Sequence, residues 1–169
     1  HGIDDLAELW PGQSVELLKA LHILTPEGRL NQDSRRKLKQ VQHLVQQLRP
    51  ALDRLYEREA DPLIVDLGAG KSYLGLILYD LVIGPAKRGS LAAIEMRADL
   101  AATAAAIARD SGFDRVRFVA APILSAAAEA AMGGRRASLV TALHACDTAT
   151  DDAIRFALKH DAAAIALVP

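Results

Sequence analysis

The chain has 169 residues, a formal charge of −1 and an apolar fraction of 51%, enough for one well-filled domain and far from the composition of a disordered chain. Aromatic residues are only 4%, which argues against base-stacking platforms, and near-neutrality argues against coating nucleic acid by bulk charge. A single cysteine, Cys146, has no internal partner and no apolar run reaches the roughly 18–20 residues of a membrane span, so a soluble, cytoplasmic protein without membrane contact is expected.

From the N-terminus to about residue 60 the pattern is helical throughout. "SVELLKALHIL" (14–24) has helical spacing, "TPEGRLNQD" (25–33) is a turn-rich break, and a long amphipathic helix follows over 33–59. Its apolar stripe is Leu38, Val41, Leu44, Val45, Leu48 and Leu52; Asp33 or Ser34 is the expected cap, and Pro50 is expected to kink or divide it. Arg35, Arg36, Lys37, Lys39, His43 and Arg49 give the stretch 33–49 a basic face, either a solvated surface, a lid on the ligand cleft or a contact for RNA phosphates. Trp10 and Tyr56 are expected to pack between helices.

Beyond residue 61 the rhythm becomes strand, turn, helix, repeated. Apolar strands are predicted at 62–68, 90–95, 116–121, 137–145 and 162–169, with helices at 72–83, 98–112, 124–133 and 148–160. Strands apolar on both faces and separated by helices imply an α/β fold: a Rossmann-like, doubly wound parallel sheet over 61–169, carrying the N-terminal helical region 1–60 as a lid or substrate-contact extension.

The first strand runs into "VDLGAGKSYLG" (65–75), a glycine turn with three readings. A triphosphate loop needs its first glycine at position 65, where Val65 sits inside the strand, and Asp66 would repel the phosphate. A dinucleotide turn asks for a third glycine at 73, where the chain has Tyr73. The third reading is a zwitterionic nucleoside. A loop carboxylate, Asp66, can hold its ammonium group, and the helix N-terminus after Gly70 can meet its carboxylate. Glu95, at the tip of the second strand and 25 residues beyond Gly70, can accept hydrogen bonds from both ribose hydroxyls.

With Asp66, Gly68 and Gly70 after the first strand and Glu95 ending the second, the chain resembles a class I S-adenosylmethionine-dependent methyltransferase over roughly 63–169. "LHACDTATDDAI" (143–154) adds a similarity to a subgroup that includes tRNA- and rRNA-modifying enzymes. The resemblance implies S-adenosyl-L-methionine as cofactor, held by Asp66, Gly68, Ala69, Gly70, Lys71, Ser72, Glu95, Met96 and Leu143. It implies transfer of a methyl group to an oxygen or nitrogen, with His144 and Asp147 facing the acceptor and RNA as the expected substrate. No metal ligand set is expected. Buried packing for His144 and Cys146, and a helix cap for Asp147, are the ordinary alternatives. Two departures stand out: "FVAAPI" (118–123) has no acid for the adenine amino group, and the sequence stops at its fifth strand, as a fragment or a short member would. A non-catalytic methyltransferase-like module and a dinucleotide-dependent oxidoreductase are the rival readings, and the oligomeric state is left open.

Overall fold

The computed structural model describes residues 8–70, 73–143 and 148–168. In chain order the elements are α1 (Val15–Ala20), α2 (Gln32–Arg58), β1 (Leu63–Leu67), α3 (Tyr73–Leu78), β2 (Ser90–Glu95), α4 (Ala98–Asp110), β3 (Val116–Ala120), α5 (Ala126–Met132), β4 (Leu139–Leu143), α6 (Thr148–Lys159) and β5 (Ala164–Val168). The five strands form one parallel sheet in the order β3-β2-β1-β4-β5. The doubly wound sheet expected from the sequence is therefore present. Its order reverses between β1 and β4, and open parallel sheets bind ligands outside the carboxyl ends of their strands at such a point.

All five residues of β1 are buried, which explains a strand written as a continuous apolar run around Asp66. Two apolar layers cover the sheet. One joins Leu17, Leu18, Leu38, Val45 and Leu52 of the N-terminal helices to Ile64, Leu91 and Leu139 of the sheet. The other packs Val65, Ile94 and Val140 against Ala128, Met132, Ala153 and Phe156. Helices α1 and α2 thus share a core with the sheet. Trp10 and Tyr56 are partly buried against that same core.

Three local expectations are corrected. Helix α1 stops at Ala20, not at residue 24. His22 takes a left-handed φ of 58°, while the N–H of Ile23 reaches the carbonyl of Leu18 and that of His22 the carbonyl of Lys19. This is the wrapped helix end that satisfies free carbonyls, and it folds Leu21, Ile23 and Leu24 into the core. The cap of α2 is Asn31, whose side chain accepts from the Ser34 N–H at 2.8 Å, in place of Asp33 or Ser34. Replacing Asn31 by alanine should cost about 1 kcal/mol in a urea titration. Pro50 does not divide α2, which runs unbroken through Arg58. Gln46 and Pro50 are both exposed, so the carbonyl that loses its N–H partner faces water.

After Leu78, helix α3 widens into a π turn over Tyr79–Ile83 and closes with a helical turn at Gly84–Ala86. The Tyr79 ring stacks on Phe113 with centroids 4.2 Å apart, and Asp80 accepts the N–H of Ser14 at 2.9 Å. Burial pushes the Asp80 carboxyl above its usual range, with the Ser14 N–H opposing. At the far end of α2, Arg88 binds the carbonyls of Tyr56 and Glu59 at 2.6 and 2.7 Å and lies over the Tyr56 ring. The arginine thereby closes the helix's last carbonyls. Burial drives the Tyr56 hydroxyl up to about 12.

Candidate cofactor crevice

A crevice of about 420 Å³ opens where the carboxyl ends of β1 and β4 meet the glycine turn. Asp66, Gly68, Ala69 and Gly70 form one wall, Tyr73 and Leu74 of α3 another, and Arg97, Leu100 and Leu143 the rest. Gly68 and Gly70 have φ of +59° and +57°, the left-handed region that glycine tolerates. A Cβ added to either would meet no atom within 4 Å, so the turn presents bare backbone to open space.

Asp66 is 2% exposed, and its Oδ1 accepts the Thr141 hydroxyl of β4 at 2.9 Å. The turn is also tied to β2. The Ala69 N–H donates to the Ile94 carbonyl at 3.2 Å, and the Gly70 N–H donates to Glu95 Oε2 at 2.8 Å. Glu95 Oε1 accepts from the backbone N–H of Arg97 at 3.1 Å and from its Nε at 2.9 Å. Burial pushes the Glu95 carboxyl up, but the Arg97 guanidinium and the N–H groups of Gly70 and Arg97 outweigh it and hold the group below its usual range. Arg97 itself is raised by the same carboxylate.

Of the residues singled out from the sequence, Asp66, Gly68, Ala69, Gly70 and Leu143 line the crevice. Glu95 stands behind the turn as its anchor, with its carboxylate engaged, and Met96 points into solvent at 69% exposure. Lys71, Ser72, His144 and Asp147 lie outside the described residues, as does Cys146. Sequence reasoning missed Tyr73, Leu74, Arg97 and Leu100. The first two could have been found, since the opening turn of a helix after a glycine loop faces the ligand side. Arg97 sits two residues past Glu95, where no pattern flagged it. Among the described residues no group of three or more His, Cys, Asp or Glu could hold a metal, and no helix is long and apolar enough to cross a membrane.

Residues 36–169 match a family model described as a methyltransferase domain. This chain belongs to that family. No curated protein matches the methyltransferase chain. Among solved structures it is similar to a variant of MtNAS, 14% identical with a TM-score of 0.55 over 86% of this chain and 50% of that one. A second is a Plasmodium falciparum protein described as a protein-L-isoaspartate O-methyltransferase, in complex with S-adenosyl-L-homocysteine. It is 9% identical, with a TM-score of 0.52 over 91% and 77%. A third is StiE O-MT, 18% identical, with a TM-score of 0.50 over 91% and 50%. At these identities the likeness is one of fold. The methyltransferase chain spans about half the length of several of the structures it matches.

Proposed function

We propose that the crevice binds S-adenosylmethionine and that the protein transfers its methyl group to an oxygen or nitrogen nucleophile. One observation carries the reading. Asp66 and Glu95, at the tips of neighbouring strands, flank a turn whose two left-handed glycines leave the backbone open to a ligand. The site's residues fit that group. A volume of about 420 Å³ lies in the range of small-molecule sites. Asp66 supplies an anion for the ammonium group, and Leu100 and Leu143 supply apolar walls; Glu95, behind the turn with both oxygens already accepting, is the acceptor we assign to the ribose hydroxyls. The segment 118–123 has no carboxylate, so adenine is held by backbone groups and apolar contact. The similar Plasmodium falciparum structure holds S-adenosyl-L-homocysteine, which supports the same ligand class here.

When bound, the cofactor supplies an activated methyl group on a sulfonium. The protein's work is then to fix donor and acceptor in line and to exclude water. We assign acceptor positioning to His144 and Asp147, after β4, on the resemblance to the family. RNA is the acceptor class we favour. Its support is the subgroup resemblance and the exposed Lys39, His43 and Arg49 on α2. Three other basic residues of that helix are already paired, Arg35 with Glu8 and both Arg36 and Lys37 with Asp33. The free positive charge is therefore smaller than the sequence suggested.

A second reading has its own observation. Both Glu95 oxygens already have donors, as in a domain that holds the cofactor weakly and serves as a scaffold. Calorimetry with S-adenosylhomocysteine and label transfer from S-adenosylmethionine to an RNA pool separate the two. Micromolar binding with labelled RNA is expected. Binding without transfer supports the scaffold, and no heat at millimolar ligand overturns the crevice reading.

A further inference from the structure

We infer that Thr141 is a positioning residue for the cofactor's ammonium group, acting through Asp66; this rests on the reading of the crevice given above. Thr141 lies directly opposite Asp66 in the parallel register of β1 and β4, at the point where the strand order reverses. It is 0% exposed and Asp66 is 2% exposed. Its hydroxyl donates to Asp66 Oδ1 at 2.9 Å, a contact closed off from water.

The strand around it explains why a hydroxyl there calls for a reason. β4 reads Leu-Val-Thr-Ala-Leu, and Val140 and Ala142 on either side pack into the apolar layer with Phe156. Threonine is the one polar residue of the strand. At a fully buried site, valine has nearly the same shape and carries no desolvation penalty, so threonine is favoured only if its hydroxyl is bonded. Its acceptor is the carboxylate at the edge of the crevice. The hydroxyl fixes that carboxylate from the β4 side. Among the described residues, Glu95 and Arg97, which also stand at this end of the sheet, are paired with each other. The ammonium group thus meets a carboxylate whose rotamer is set before it arrives, which lowers the ordering cost of binding.

The test is a double-mutant cycle on S-adenosylhomocysteine affinity, read by calorimetry with thermal melts alongside. Thr141→Val should weaken binding about tenfold, the equivalent of one lost hydrogen bond to a charged group. Thr141→Ser, which keeps the hydroxyl, should stay within about threefold. In an Asp66→Asn background Thr141→Val should add little further loss, because the two act as one unit. A merely structural role would weaken both backgrounds alike and would track the melting temperature. Wild-type affinity in Thr141→Val, equal losses in both backgrounds, or no rescue by serine would each overturn the inference while leaving the crevice reading intact. If the unaltered protein itself shows no binding, both fall together. Thr141→Ala carries the same cycle should the valine variant not fold.

Discussion

Phe156→Ala is expected to lower the unfolding free energy by about 3–5 kcal/mol. Phe156 is 1% exposed and fills the layer between α6 and the sheet, among Leu63, Val65, Val140 and Ala157. The layer it belongs to is rich in alanine: Ala92, Ala128, Ala137, Ala142 and Ala153. Alanine has no side chain to swing into a void, so the site collapses poorly and the cavity cost stays near the upper end. For a domain of this size the melting point should fall by roughly 10 °C or more. Phe156→Leu, which keeps most of the volume, should cost far less. Equal melting curves for the alanine variant and the parent would show that this layer is not the closed core described.

Glu95→Ala should weaken S-adenosylhomocysteine binding about tenfold to a hundredfold, through two losses at once. On the proposed assignment the ribose hydroxyls lose their acceptor, and the Gly70 N–H loses the carboxylate that pins the turn at 2.8 Å. Calorimetry reads the combined effect, and an unchanged affinity removes Glu95 from the site. The same residue sets a pH dependence. Its folded carboxyl lies below the ordinary value of 4.5, so it contributes stability above that value and loses it as pH falls through the folded value. The gap in melting temperature between the parent and Glu95→Gln should therefore be widest near neutrality and close under strong acid. A gap that widened on acidification would contradict the hydrogen bonds described.

The strands were legible because a sheet covered on both faces demands uninterrupted apolar runs, and β2 falls on the predicted residues 90–95. Asp66 and Glu95 were legible because acids at the ends of such runs have no packing explanation. What escaped was set by distant partners. Pro50 reads locally as a helix breaker, yet Val45, Leu52 and Leu55 bury the stripe on either side of it and keep α2 whole. The partners of the π turn, Phe113 and Ser14, lie far from it in sequence. Arg97 became visible only when Glu95 was seen to hold it, and Thr141 only when β1 and β4 were placed in register.

At Tyr79–Ile83 one extra residue per turn offsets whatever follows by roughly 100° around the axis relative to an unbroken α-helix. The same rod carries Leu74, Leu76 and Leu78 in the core, Tyr79 against Phe113, and Asp80 on the amide that starts α1. Its beginning borders the ligand crevice and its end ties down the amino-terminal segment. A single element thereby couples the ligand side of the sheet to the amino-terminal segment.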